Sequence, residues 1–446
     1  MNKKVIFREY TKYVGLSVVA MVCVSLYVLA DTWFISVALG LNGLAALNIS
    51  IAVFGIIHSF GLMIGIGGAT YYTIQKNSGK NSDTILTHAL VHGLFVVVIF
   101  ITVGLFFTPQ VARLLGAEGV ILTMAVDYMR TLLIFSPILV INNILLAFVR
   151  NDNNPKLAMA GMVVASFANI IFDYIFLLTM ELGMFGAALA TVLAFTLSLI
   201  IVSAHFFTKN NRLKIRKCKI KIKEMLKIDL LGSSTLINEL AFAVSLIVFN
   251  LVILRIEGNT GVAAFSVVAN VAIIVITIFT GVAQGIQPLI SRGFGVGDRV
   301  LINQTLKYAL ITVVAISLFV YGITFFNADA IVAIFNSESD TVFAYLVTYG
   351  LRIYFIGLLF AGINFVASAF FSAIDSAKEA VAISMLRGSV IIIPATIILG
   401  EIFAMTGVWF AFLTTELVVA LVSVMFLYIK LKLKKRCSDG TTENKS

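Results

Sequence analysis

The sequence predicts an all-α polytopic membrane protein. It expects twelve transmembrane helices in two six-helix lobes, related by a pseudo-twofold axis along the membrane normal. Three observations lead there. Of the 446 residues, 60% are apolar and only 12% charged, about half the charged fraction of a soluble chain. Apolar runs of about twenty residues, each long enough to span ~30 Å of hydrocarbon, recur along the chain. Sequence blocks also return at a spacing close to 220 residues, as an internal duplication would produce.

The expected spans lie near 14–37, 46–73, 85–107, 124–149, 157–179, 184–207, 228–254, 262–290, 304–326, 342–371, 380–400 and 404–430. With a cytoplasmic N-terminus, only Arg113, Arg130, Arg255 and Arg352 of the 32 Lys and Arg fall away from the cytoplasmic side. The loops 38–45, 180–183, 327–341 and 401–403 carry no Lys or Arg. That asymmetry fixes the orientation, with both termini inside. The net charge of +10 is thereby accounted for without a nucleic-acid partner. No short apolar run with a small-residue cleavage site opens the chain, so no cleaved signal peptide is expected. Cys23, Cys218 and Cys437 are odd in number and scattered, and suggest no disulfide framework.

The organisation expected is an N-lobe over 1–207, a basic cytoplasmic linker over 208–227, a C-lobe over 228–436 and a disordered tail over 437–446. The linker stretch KNNRLKIRKCKIKIKEMLK (209–227) holds nine basic residues. A helical reading lays it along the anionic inner leaflet as a topology anchor.

The duplication is explicit in four blocks. GLMIGIGGATYYTIQKNSGK (61–80) matches GVAQGIQPLISRGFGVGD (281–298). Arg130 and Asn142 fall on Arg352 and Asn364. FVRNDNNPK (148–156) falls on FFSAIDSAK (370–378), and FGAALA (185–190) on TGVWFA (406–411). Six spans per half make the halves parallel, and parallel repeats place a substrate site between them. The small-residue spacing at 61–69 reads as a helix-packing surface.

Where the halves differ is informative. Asp31, in LYVLADTWF, falls on Phe249; Asn169 and Asp173, in ANIIFDYIF, fall near Ile391 and Ala395. Tyr27 shares the face of Asp31, and Thr191 offers a hydroxyl near the same depth. Two carboxylates, an amide, a hydroxyl and a phenol inside one lobe suit a hard monovalent cation or a proton, because charged groups inside a membrane are costly and need a partner. Glu239, in STLINELAF, is a candidate for substrate or proton coupling, with Gln284 and Gln287 of GVAQGIQPLIS. Glu416, in FLTTELVV, has either such a role or a polar neighbour to bond. Asp127 and Arg130 read as an interfacial pair, and Arg352 as a snorkelling side chain. His88 and His92 have helical ligand spacing but lack an identifiable third ligand, so no metal site is expected. No phosphate-binding glycine loop and no nucleophile–base arrangement is visible. The chain is therefore expected not to be an enzyme.

These residues carry a family resemblance. The sequence resembles the MATE (multidrug and toxic compound extrusion) transporters of prokaryotes over nearly all its length. The likeness rests on ADTWFISVALGLNGLAAL, on NDNNPKLAM followed by NIIFDYIF, on GMFGAALAT and on GVAQGIQPLIS. It implies an N-lobe cation site at Asp31, Asn169, Asp173 and Thr191, joined by Tyr27. It implies export of bulky, often cationic and aromatic compounds in exchange for Na+ or H+ by alternating access. Glu239 matches a span-seven glutamate of some members, whereas the span-ten acid of those members has no counterpart here. No cofactor is expected beyond Na+ as a coupling ion. The partners expected are small organic substrates and membrane lipids, with no nucleic acid, for a monomer in the plasma membrane.

Rival readings meet specific obstacles. A major facilitator would carry a basic, Asp- and Gly-containing motif between spans two and three, and KNSGKNSDT lacks it. The alternative reading, a lipid-linked saccharide flippase of the same superfamily, calls for several arginines at mid-depth of the spans, and the sequence suggests none.

Overall fold

The computed structural model describes residues 2–335 and 340–439. The elements are helical, with no strand among the described residues. They are α1 (Lys3–Asn77), α2 (Ile85–Phe106), α3 (Thr108–Leu114), α4 (Gly119–Ile134), α5 (Ser136–Asn151), α6 (Pro155–Asp173), α7 (Gly183–Ser203), α8 (Ile222–Val296), α9 (Arg299–Phe326), α10 (Ala328–Phe335), α11 (Thr341–Ala373), α12 (Ala377–Met385) and α13 (Ile392–Asp439). Two π-helical turns, Tyr174–Thr179 and Leu386–Val390, follow α6 and α12.

Eight helical stretches among the described residues are long and apolar enough to cross a membrane, and α4 with α5, bent by 53°, makes a ninth. Three of those stretches are double. Helices α1 and α8 have 75 residues each, far beyond the ~20 that span a bilayer. Each turns back at one residue with non-helical backbone: Gly40 (φ 63°, ψ −153°) and Gly258 (φ 62°, ψ −151°). That conformation is essentially restricted to glycine. The third turn, in α13, falls on Ala404 (φ 51°, ψ −138°). Splitting the three gives the twelve spans that the sequence predicts.

The duplication is also written in the backbone. Besides Gly40 and Gly258, the pairs Asn153 with Asp375 (φ 64° and 61°) and Gly183 with Ala404 (φ 59° and 51°) share left-handed conformations at repeat-related positions. Helix starts follow the local chemistry. Asn154 caps α6, its side chain accepting from the Leu157 amide, with Pro155 at the first helical position. Gly65 permits close packing of α1 on α5: a Cβ there would lie 2.7 Å from the Asn143 carbonyl oxygen.

Two compact units emerge from the packing. Among the described residues, the first comprises 2–240, 284–305 and 372–375; the second comprises 241–283, 306–335, 340–371 and 376–439. The linker departs from the helical expectation. Residues 211–221 have no regular secondary structure, and α8 begins only at Ile222. Their backbone amides are taken by side chains of the first unit: Arg212 N–H donates to Asp152 Oδ2 (2.7 Å), Arg216 N–H to Thr87 Oγ1 (3.1 Å) and Lys221 N–H to His88 Nε2 (3.2 Å). These bonds compete with the intrahelical ladder. Of the expected tail, Cys437–Asp439 close α13, and residues 440–446 lie outside the described residues.

Candidate functional site

The first half of α1 carries Tyr27 and Asp31. Helix α6 carries Asn169 and ends on Asp173, where the backbone widens into the first π turn; α7 carries Thr191. All four polar residues of the expected cluster other than Tyr27 are buried, Asp173 completely. Asn169 Nδ2 donates to Thr191 Oγ1 at 3.4 Å. Asp31 and Asp173 lie near enough to interact electrostatically with each other and with the Tyr27 phenol. The structure therefore brings together all five residues that the sequence singles out.

Their oxygens are short of donors. Asp31 Oδ1, Asn169 Oδ1 and both carboxylate oxygens of Asp173 are buried without a hydrogen-bond partner. Buried acceptors are almost always satisfied in native proteins, so such a group calls for a specific explanation. A cluster of oxygen acceptors, two of them carboxylates, is complementary to a proton or a hard monovalent cation.

Two features escape sequence reading. Tyr128 of α4 is buried in the neighbourhood of Thr191 and both acids. Nothing in AVDYMR marks it, since a tyrosine in a span is usually packing. A cavity within the first unit is lined by Tyr27 and Asn169 and extends to His58, Asn142, Asn143 and Ser198. His58 and Asn143 meet through Nδ1 and Nδ2 at 3.0 Å, and the imidazole stacks on Phe54. Asn142 Oδ1 and Ser198 Oγ have no partner. The acids and the polar cavity thus share Tyr27 and Asn169.

Other expected residues lie elsewhere. Gln284 and Gln287 are buried in α8 and do not line this cavity; the Gln284 carbonyl accepts from Arg150 at 3.5 Å. Glu239, also in α8, is exposed. Asp127 and Arg130 form no ion pair among the described residues, so the pairing expected from their spacing is not made. Exposed Arg352 lies over the Phe325 ring, 5.2 Å from its centroid. His88 is buried and accepts from the linker, while His92 lies 3.4 Å from Asp229. Among the described residues, no group of three His, Cys, Asp or Glu could hold a metal ion.

One arginine does lie inside a span, against the expectation that set this chain apart from the saccharide flippases. Arg387, which the sequence reading counts with the cytoplasmic charges, is largely buried inside span eleven and paired with Glu416 at 2.8 Å. It sits seven residues into the run, where a hydropathy pattern cannot tell a snorkelling arginine from an inward one. Its charge is spent on Glu416, so it offers no free guanidinium to an anionic substrate.

Elsewhere in the first unit, fully buried Asp152 gathers four donors. Tyr72 Oη, Lys76 Nζ, His205 Nε2 and the Arg212 amide lie at 3.0, 2.6, 3.0 and 2.7 Å. Burial alone would raise its pKa, but the bonds from His205, Lys76 and Arg212 outweigh it and hold the carboxyl below its ordinary value. This hub fastens the linker to the first unit.

Buried carboxylates inside a duplicated bundle of membrane-length helices fit a multi-pass membrane transporter. The MatE family model matches residues 17–175 and 235–398, and the chain belongs to that family. Among curated proteins it is similar to the multidrug export protein MepA of Staphylococcus saprophyticus, 25% identical over 408 residues, covering 91% of this chain and 89% of that one. MepA of Staphylococcus haemolyticus is 26% identical over 417 residues, covering 90% and 89%. Among solved structures, an outward-facing multidrug resistance MATE transporter of the MOP superfamily superposes with a TM-score of 0.90 at 22% identity, covering 96% of each chain. A MOP superfamily transporter from Pyrococcus furiosus superposes with a TM-score of 0.89 at 22% identity, again covering 96% of each. These likenesses establish the twelve-span fold.

Proposed function

We infer that the chain is a secondary active multidrug efflux transporter, a cation/drug antiporter of the plasma membrane with both termini in the cytoplasm. The observation that carries the antiport reading is the set of buried, partnerless oxygens on Asp31, Asn169 and Asp173. Asp31 and Asp173 supply the charge that a coupling ion neutralises. Asn169, Thr191 and the Tyr27 phenol supply neutral oxygens, which favour Na+ over a bare proton relay, while protons use the same carboxylates. A cation can drive the cycle only by binding one conformation more tightly than the other. Neutralising the acids lets the surrounding helices repack, because a bare charge no longer demands water. The π turn directly after Asp173 is a place where such repacking concentrates.

The family membership and the MepA likeness support bulky organic substrates. Aromatic cations fit best, with Glu239 as the carboxylate that meets their charge and Gln284 and Gln287 as secondary contacts. The protein acts as a monomer in contact with membrane lipids. Asp173→Asn tests the reading: it should abolish gradient-driven efflux of ethidium from cells while the protein still reaches the membrane. Unchanged efflux at equal expression would remove Asp173 from the coupling site.

A further inference from the structure

The second unit buries an ion pair with a complete set of partners. Arg387, on the π turn Leu386–Val390, donates to Glu416 Oε1 from Nη2 (2.8 Å) and Nε (3.3 Å). Its guanidinium lies over the Phe365 ring, 4.0 Å from the centroid. Glu416 Oε2 accepts from Asn364 Nδ2 at 2.7 Å, and Asn364 Oδ1 accepts from Ser423 at 2.9 Å. The side chains of Arg387 and Glu416 are only 10% and 3% exposed. Tyr354 is a further titratable group near the pair.

The position of this pair in the repeat gives it meaning. At the offset of 222 residues that relates Asn142 to Asn364, Arg387 corresponds to Ala165. At the offset of 221 that relates FGAALA to TGVWFA, Glu416 corresponds to Phe195. Asn142, Ala165 and Phe195 all line the polar cavity of the first unit, where Asn142 Oδ1 has no partner. The same three positions in the second half are filled by an amide, a guanidinium and a carboxylate that satisfy one another. One half of the repeat has a cavity beside free acids; the other has a carboxylate whose counter-charge is covalently attached.

We propose that Arg387 is a tethered cation, filling in the second half of the repeat the position of the polar cavity that adjoins the first-half acids. Glu416 then carries no coupling ion, and each transport cycle is coupled through the first-half carboxylates alone. The pair is neutral as a unit, so no mobile ion is needed to carry it through a conformational change. A Na+ or proton seeking Glu416 would have to displace two donated hydrogen bonds and a cation–π contact. This inference rests on the antiport reading of Asp31 and Asp173.

The test is coupling stoichiometry in sealed vesicles. It is read from the cation gradient at which net ethidium flux reverses, for Na+ and H+ in turn. Removing both charges together, Arg387→Met with Glu416→Gln, should leave the number of cations per substrate unchanged, as should the conservative Arg387→Lys. A number lower by one in the double variant would overturn the proposal, because Glu416 would then carry an exchangeable ion. If the double variant does not fold, Arg387→Gln with Glu416→Gln decides by the same reading: an unchanged number supports the proposal, and a number lower by one overturns it. Failure of the underlying reading looks different: Asp173→Asn would keep coupled transport whatever the pair does.

Discussion

Removing the Asn169 side chain should separate cation binding from stability. Asn169 is buried, its Oδ1 has no partner, and its Nδ2 makes one long bond of 3.4 Å to Thr191. That bond lies at the limit of hydrogen-bond geometry, so its loss in Asn169→Ala should cost no more than about 0.5 kcal/mol. The Oδ1 atom matters more. A neutral oxygen interacting with a charged group is worth about 1.5–3 kcal/mol, which corresponds to a roughly ten- to hundredfold loss of Na+ affinity. Protonation of Asp31 or Asp173 does not need the amide, so proton-driven efflux should persist. Purified wild type and Asn169→Ala would be titrated with NaCl at constant ionic strength and followed by calorimetry and thermal shift. An unchanged Na+ affinity in the variant would refute Asn169 as a ligand. A wild type with no Na+ response, but with ethidium binding that titrates with a carboxylate, would refute the sodium preference and leave proton antiport.

The site was legible where the sequence shows polar residues inside apolar runs and the repeat supplies an internal control. Asp31, Asn169 and Asp173 stand out because their repeat partners are apolar. Tyr128, His58 and Asn143 were illegible because tyrosines, histidines and asparagines in spans usually serve packing. Their convergence depends on how α1, α4, α5 and α7 pack. The Arg387–Glu416 pair joins residues 29 positions apart, and charge counting along spans assigns such an arginine to the membrane surface. The three breaks inside the long helices were legible as gaps between expected spans, but the residues that turn the chain, Gly40, Gly258 and Ala404, were not, and at Ala404 a residue with a Cβ adopts a glycine conformation. The linker misled because its basic residues suggest a membrane-surface helix, whereas hydrogen bonds to distant side chains hold it in irregular backbone.

Further outcomes can be measured. Asp152→Ala leaves Lys76 without its carboxylate and with Tyr72 Oη still to bond; with Lys76 22% exposed, the cost should fall near the lower end for a broken buried pair, about 3 kcal/mol, seen as a lower unfolding temperature. Because the folded pKa of Asp152 is depressed, its contribution should be complete above the unfolded value near 4 and vanish as pH falls through the folded value. A wild type–variant difference that persisted unchanged into strong acid would contradict this. Ala404→Gly should raise thermal stability by about 1 kcal/mol through relief of the positive φ; Gly258→Ala should lower it, and the opposite signs would count against the strain argument. In a background without the native cysteines, Leu41→Cys, at an 85% exposed site, should react with an impermeant thiol reagent on intact cells, whereas Asn210→Cys should not. The reverse pattern would invert the topology.

The coupling of cation entry to substrate export is assigned to Asp31 and Asp173. It is tested most directly in sealed proteoliposomes, with Na+ and H+ gradients imposed one at a time and ethidium accumulation followed to steady state. Wild type should accumulate ethidium uphill, by about tenfold for a tenfold cation gradient if one ion is exchanged per substrate at equal charge, equivalent to about 1.4 kcal/mol. Asp31→Asn with Asp173→Asn should only equilibrate it. Uphill accumulation by that double variant under either gradient would contradict the account.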